Sequence, residues 1–116
     1  MTALEGALSG TRVVTCSTAQ AGTVPYTLMA DLGAEVIKIE VPGAGDNSRR
    51  AGELKGDISS FFETNNRGVK SLTLNLKLPE AQEILHRLVE TAEVFGQNFR
   101  PGAAERYGFG YQELKK

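Results

Sequence analysis

Two strand-like runs near the start of the chain, separated by a helix-like segment, constrain the fold most strongly. Residues 11–17 are rich in β-branched side chains, and residues 34–40 alternate apolar with charged side chains. Between the two runs, Pro25 suits the first turn of a helix and Gly33 suits its C-terminal stop. A strand, a helix and a strand in this order predict a βαβ unit with parallel strands and a right-handed crossover.

The rest of the chain continues this alternation of strands and helices. The further predicted elements are a loop (42–56), a short helix (58–64), a strand (71–76), an amphipathic helix beginning at Pro79, a strand (93–99), and two short helices, one running through Ala104 and Arg106 and one at 111–116. The sequence therefore predicts an α/β fold, a Rossmann-like and mainly parallel sheet flanked by helices. We expect one domain over residues 1–116, with residues 1–10 as a flexible lead-in.

Composition narrows the classes of protein to which the chain can belong. Of its 116 residues, 41% are hydrophobic and 23% are charged, which is typical of a globular domain. A formal net charge of −1 provides no field that would attract nucleic acid or an anionic membrane, and neither is expected as a partner. We expect no transmembrane helix and no signal peptide. The single cysteine, Cys16, excludes an internal disulfide, is expected to be buried, and suits a cytoplasmic protein.

Ligands of open parallel sheets bind beyond the carboxyl ends of the strands. The first candidate site is therefore the first turn, residues 18–23, which follows the first predicted strand. There Ala19, Ala21 and Gly22 are small enough for a ligand to approach the backbone, and the next helix offers free N–H groups to an anion. Tight packing of strand on helix explains the same small residues equally well. Three basic side chains are expected at or near the same edge: Lys77, Arg100 and Arg106.

The residues give little support for a dinucleotide site or a metal site. Glu40 ends the second predicted strand, where an acid can bind a ribose hydroxyl, but the glycine pattern G-x-G-x-x-G is missing from the first turn. A nucleotide-dependent oxidoreductase fragment is thus the weaker alternative. The only histidine, His86, has no cysteine or carboxylate at metal-ligand spacing, and we expect no metal. The residues by themselves predict an α/β domain and leave open whether the turn after its first strand binds an anionic cofactor or only packs tightly.

Five ordered segments carry a family resemblance that extends from about Gly10 to Leu114. The segments are L-M-A-D-L-G-A-E-V-I-K-I-E (28–40), P-G-A-G-D with Arg49 (42–49), N-R-G followed by K-S (66–71), L-T-L-N-L-K with P-E (72–80), and N-F-R-P-G with R-Y-G (98–108). In this order and spacing they resemble the N-terminal part of family III CoA-transferases of the CaiB/BaiF type.

The resemblance implies a ligand and a set of binding residues. Family members are longer than this chain, form interlocked dimers and hold coenzyme A on their Rossmann-like part, so coenzyme A or an acyl-CoA thioester is the expected ligand and a homo-oligomer the expected assembly. The residues implied to contact the coenzyme are Gln20, Ala21, Leu74, Lys77, Asn98, Phe99, Arg100 and Arg106.

The resemblance also implies that no catalytic residue lies in this chain. The family's nucleophilic aspartate falls beyond the position of Lys116, and Asp31, Asp46 and Asp57 do not match it. We therefore expect the chain alone to be inactive as a transferase, with a second chain as one possible source of the catalytic half. The alternative from another class is a non-catalytic α/β scaffold or oligomerisation domain.

Overall fold

The computed structural model describes residues 5–115, which fold around a four-stranded, wholly parallel sheet. In chain order the strands are β1 (Arg12–Thr15), β2 (Glu35–Glu40), β3 (Leu54–Lys55), β4 (Ile58–Ser59), β5 (Lys70–Thr73) and β6 (Val94–Gly96). The main sheet has the spatial order β5-β2-β1-β6, and β3 and β4 form a separate antiparallel hairpin. The helices are α1 (Val24–Asp31), α2 (Ser60–Asn66), α3 (Pro79–Val89), α4 (Ala103–Arg106) and α5 (Tyr111–Leu114). The predicted α/β class with a parallel sheet is confirmed.

The βαβ unit predicted from the start of the chain is present. β1 and β2 pair in parallel with Val13 opposite Val36, and α1 crosses between them. Pro25 lies in the first turn of α1, where a missing N–H leaves no helical bond unmade. Gly33 follows the helix with φ of +100°, a conformation strained for any residue with a side chain, and so ends α1.

The two faces of the sheet bury different side chains. On one face, Val14 and Cys16 pack with Leu85 of α3 and with Phe109, and the contacts there are apolar. On the other face, Val13 and Val36 pack under α1. Further along the same two strands, towards their carboxyl ends, this second face becomes polar.

The strands of the main sheet are shorter than the sequence predicted: β1 comprises Arg12–Thr15 of the expected residues 11–17, and β5 and β6 end early. β5 ends at Thr73, although the Leu74 N–H still donates to the Glu40 carbonyl oxygen at 3.0 Å. β6 comprises only Val94–Gly96, so the predicted strand over residues 93–99 was too long. A Cβ atom at Gly96 would overlap the Tyr26 hydroxyl, which explains the glycine in this strand. The chain then leaves the sheet.

The region over residues 42–64 is also more structured than predicted. The expected loop contains a one-turn 3₁₀ helix, Asn47–Arg50, and the strand β3. The expected helix over 58–64 begins only at Ser60, because Ile58 and Ser59 pair with β3. The Ser59 hydroxyl accepts a hydrogen bond from the Phe62 N–H at 3.1 Å, and this N-cap sets the helix start.

Residues 5–10, expected to be a flexible lead-in, are held against the sheet. The Leu8 N–H donates to the Leu32 carbonyl oxygen at 2.9 Å, and the Leu8 side chain packs against the cluster of Val13, Ala34 and Val36. Residues 1–4 of the predicted lead-in lie outside the described residues. Over residues 5–115, every helix is too short or too polar to cross a lipid bilayer.

Candidate functional site

The carboxyl edge of the sheet brings the first turn, residues 18–23, next to the end of β6. The Asn98 side-chain amide clasps this turn: its Oδ1 accepts from the Thr18 N–H at 3.0 Å, and its Nδ2 donates to the Thr18 carbonyl oxygen at 2.8 Å. Gly22 makes the close approach possible, because a Cβ there would lie 2.5 Å from the Asn98 Nδ2. Asn98 therefore has a structural partner in the turn, which the sequence did not predict.

The first turn presents unpaired backbone donors at this edge. The Thr23 hydroxyl donates to the Ala19 carbonyl oxygen at 2.6 Å and closes the turn onto the start of α1. Within residues 5–115, the N–H groups of Gln20, Ala21 and Gly22 have no hydrogen-bond acceptor. Gln20 and Ala21 are exposed, whereas Gly22 is buried. Two exposed, free N–H groups ahead of a helix form a favourable environment for an anion.

A mainly apolar cavity of about 60 Å³ lies at the same edge, between the first turn and the segments that follow β2, β5 and β6. It is lined by the predicted site residues Leu74 and Phe99, and also by Cys16, Thr18, Ile39, Glu40, Asp46 and Leu76. The Phe99 ring packs on the Phe109 ring with centroids 5.7 Å apart and stays 37% exposed. Pockets for whole ligands are about 300–1,000 Å³, so this cavity suits one apolar group of a larger molecule.

The cysteine that lines this cavity is not suited to act as a nucleophile. Cys16 is buried, as expected, and burial raises the pKa of its thiol to about 12. At neutral pH the thiol stays protonated and is therefore a poor nucleophile. Its contribution to the cavity is apolar surface.

The predicted basic residues Lys77, Arg100 and Arg106 lie on exposed segments after β5 and β6. None of the three lines the cavity. In the described part of the chain, none has a carboxylate within 4.0 Å, unlike Lys38, Arg49, Arg67 and Lys70. Their cationic groups remain available to an anionic ligand.

Glu40 is neither a solvated acid nor a free ribose ligand. Its carboxylate is buried, pairs bidentately with Arg49 at 2.7 and 2.8 Å, and accepts from the Ser71 hydroxyl at 2.7 Å. It also accepts from the Asp46 N–H at 2.8 Å. Burial opposes ionisation, but these hydrogen bonds outweigh it and lower the pKa of Glu40 to about 2. With its oxygens occupied, Glu40 no longer favours the oxidoreductase alternative.

A buried ion pair beside Glu40 was missed by sequence reasoning. Lys38 and Asp46, 2% and 1% exposed, pair through Nζ and Oδ2, and the same Nζ donates to Asn66 Oδ1 at 2.9 Å. Burial raises the pKa of the Asp46 carboxyl, but hydrogen bonds from Lys38 and Ser48 hold that pKa below its usual range. The local pattern contains no signal for it: Lys38 lies between Ile37 and Ile39 in an alternating segment, and its burial follows from the inner position of β2 in the sheet, which only the structure shows.

The histidine and the acidic side chains were also considered as metal ligands. His86 Nε2 lies 2.7 Å from the Gly108 carbonyl oxygen, which ties α3 to the segment after α4. No cluster of three or more histidine, cysteine, aspartate or glutamate side chains within residues 5–115 is arranged to hold a metal ion.

Comparison with known proteins identifies the family. A sequence profile described as CoA-transferase family III matches residues 8–116. The chain is 42% identical to an acetyl-CoA:oxalate CoA-transferase of Acetobacter aceti over 112 residues, which are 97% of this chain and 29% of that protein. It is 36% identical to a human succinyl-CoA:glutarate CoA-transferase over 108 residues, which are 92% of this chain and 25% of that protein.

A solved structure agrees with the sequence relatives. A CaiB/BaiF family protein from Brucella suis superimposes with a TM-score of 0.88 at 35% identity, over 96% of this chain and 30% of that one. The chain thus spans between a quarter and a third of the length of these relatives. Its fold, its ordered motifs and its similarity over nearly all residues agree: the chain belongs to CoA-transferase family III.

Proposed function

We propose that this chain is the coenzyme A-binding segment of a family III CoA-transferase and that it binds coenzyme A or an acyl-CoA thioester across the carboxyl edge of its sheet. The residues assigned to the coenzyme are Gln20, Ala21, Leu74, Lys77, Asn98, Phe99, Arg100 and Arg106. The small cavity indicates that the coenzyme lies along an open rim, with only one apolar group inserted.

The observation that carries this proposal is the convergence of complementary groups at one edge. Unpaired N–H groups at Gln20 and Ala21 suit the charged parts of the ligand, and the cavity between Leu74 and Phe99 suits an apolar part. Coenzyme A combines both kinds of group in one extended molecule. The family's named substrates are CoA thioesters, which supports the same choice of ligand.

The basic residues provide the phosphate contacts in this proposal. Lys77 follows β5, Arg100 follows β6 and Arg106 lies on α4, and within residues 5–115 none of the three pairs with a carboxylate. Arginine grips phosphate oxygens through paired N–H donors, whereas lysine acts as a point charge. We assign the strongest single phosphate contact to Arg106.

Acyl transfer itself requires residues outside positions 1–116. Asp31 pairs with Arg67, and Asp46 is buried against Lys38, so neither carboxylate is free to attack a thioester. Asp57 is exposed in the β3–β4 hairpin. We therefore propose a binding role for this segment, with the nucleophile supplied from elsewhere. On separate grounds, because a single cysteine suits a reducing compartment, we propose that the protein is cytoplasmic.

Calorimetric titration of the purified chain with coenzyme A tests the proposal, with NAD as the ligand control. Arg106→Ala should weaken binding about tenfold, because it removes a charge-assisted contact. Arg87→Ala, on an exposed position of α3, is the matched control and should change affinity less than twofold. Absence of heat with millimolar coenzyme A, or equal losses in both variants, would overturn the assignment.

A second candidate function, self-association, rests on a separate observation. β6 forms an open edge of the sheet, and beside it lies a groove of about 620 Å³ lined by Phe95, Phe109 and the 75% exposed Tyr111. We propose that two copies of the chain associate along this edge. Sedimentation velocity should give a concentration-dependent dimer that Tyr111→Ser weakens; a monomer at all concentrations would exclude it.

A further inference from the structure

The Asp46 carboxylate joins two segments that are far apart in sequence. Its Oδ1 accepts from the Ser48 N–H at 2.8 Å and from the Ser48 hydroxyl at 2.7 Å, which caps the 3₁₀ helix. The same oxygen accepts from the Ala19 N–H at 3.3 Å. Its Oδ2 faces Lys38, which stands on β2. Asp46 thus links the segment after β2 to the first turn.

Ala19 has an unusual backbone conformation at this link. Its φ is +59°, and within residues 5–115 it is the one non-glycine residue with a positive φ. Such a conformation is unfavourable for alanine and persists only where the surroundings impose it. Here side chains hold both of its polar backbone groups: Asp46 binds the N–H, and the Thr23 hydroxyl binds the carbonyl oxygen at 2.6 Å.

The conformation of Ala19 determines where the next backbone donors point. The free N–H groups of Gln20, Ala21 and Gly22 follow it directly, and Thr18 before it is held by Asn98. Both anchored residues, Thr18 and Ala19, therefore lie directly before the donors in sequence, and the backbone angle at Ala19 sets the direction in which the chain continues. If Ala19 relaxed to a negative φ, the exposed N–H groups of Gln20 and Ala21 would point in a different direction.

A capping role alone does not account for these contacts. The 3₁₀ helix cap needs only the bonds from Asp46 to Ser48. The bond to Ala19 adds nothing to that cap and crosses to another segment, 27 positions away in sequence. At 3.3 Å it is a long hydrogen bond, so a modest effect is expected from its loss.

We propose that Asp46 is a positioning residue for ligand binding: its carboxylate holds Ala19 in the left-handed conformation, so that the exposed N–H groups of Gln20 and Ala21 face the anionic part of the CoA thioester. This inference rests on the proposed function. Because Asp46 also lines the cavity beside Leu74 and Phe99, the Ala19 resonance, and not the affinity alone, distinguishes positioning from direct contact with the ligand.

The test combines amide NMR spectra with titration of coenzyme A into the chain. Asp46→Ala should shift the Ala19 amide resonance and weaken binding about fivefold. Ser48→Ala keeps the Ala19 bond and should leave both readouts within twofold of the original. Ala19→Gly in the Asp46→Ala background should restore most of the affinity, because glycine adopts positive φ without strain.

A second variant covers the chance that Asp46→Ala unfolds by leaving Lys38 unpaired. Lys38→Met with Asp46→Ala removes both charges and should show the same resonance shift and loss of affinity. An unmoved Ala19 resonance in either folded variant would overturn the proposal, as would unchanged affinity. If the original chain fails to bind coenzyme A, the proposed function is wrong, and the resonance alone decides whether Asp46 holds the turn.

Discussion

The two faces of the central sheet are stabilised in different ways. Under α3, Val14 and Leu85 belong to a continuous apolar cluster. Under α1 and α2, the carboxyl half of the sheet buries Lys38, Glu40 and Asp46 in a hydrogen-bonded network. Apolar burial is non-directional, whereas each buried polar group requires a partner at a defined position. The apolar face therefore supplies stability, and the polar face determines the geometry of the segments that border the candidate site.

The largest loss of stability should come from removing the Lys38 charge from the polar face. Lys38→Met leaves the Asp46 carboxylate buried without its cation and should lower the free energy of unfolding by about 3–5 kcal/mol. Urea denaturation measures this loss. The double variant Lys38→Met with Asp46→Leu should recover much of it, and a single-variant loss below about 1 kcal/mol would contradict a structural role for the pair.

The apolar face is tested at Leu85, which is fully buried. Leu85→Ala should lower the free energy of unfolding by about 3 kcal/mol, through lost burial and the cavity left behind. Urea denaturation again gives the value, and coenzyme A affinity is measured where the variant is folded. If the faces differ as described, that affinity stays within twofold; a tenfold loss would show that the apolar face also shapes the site.

Lowering the pH should reduce the stability contributed by the polar face, because Glu40 belongs to that face. The folded pKa of Glu40, about 2, lies below its unfolded value of about 4.3, so its contribution is full above that unfolded value. That contribution, about 2–3 kcal/mol, is lost as pH falls from about 5 through 2. Urea midpoints at several pH values should decline accordingly, and less steeply in Glu40→Gln. Identical slopes in the two proteins would rule out this assignment.

The smallest effect is expected at the start of α3. Leu78 occupies the N-cap without a side-chain hydrogen bond and is half exposed. Leu78→Ser should raise the free energy of unfolding by about 1 kcal/mol, because serine can accept from a free N–H of the first turn. The gain should be the same in the original and Lys38→Met backgrounds, since it concerns the other face. Unequal gains would mean that the faces are coupled.

The sequence predicted the order of elements because their signals are local. The alternation over residues 34–40 and the apolar stripe after Pro79 depend only on neighbouring residues, and both elements are present. Strand ends depend instead on tertiary contacts: β6 stops at Gly96, which packs against Tyr26, and Asn98 two residues later binds Thr18. Resemblance predicted the site residues, of which Leu74 and Phe99 share a cavity and Asn98 clasps the first turn.

The polar network could not be predicted in this way. In sequence, Lys38 looks like the solvent-facing member of an alternating strand, and its burial depends on α2 covering that face. Likewise, nothing in the residues near Asp46 indicates a bond to Ala19. Such contacts arise from packing between distant segments, which local patterns do not encode.

The position of β6 beside β1 has a consequence for how the chain folds. β1 pairs with β2 across a short connection, but its pairing of Val13 with Val94 closes a loop spanning most of the chain. Long loops lose more entropy on closure, and non-local parallel pairing is slow. We therefore expect β1, α1 and β2 to assemble early and β6 to dock late. Because Asn98 follows β6 and clasps Thr18, the carboxyl edge is completed only in that last step.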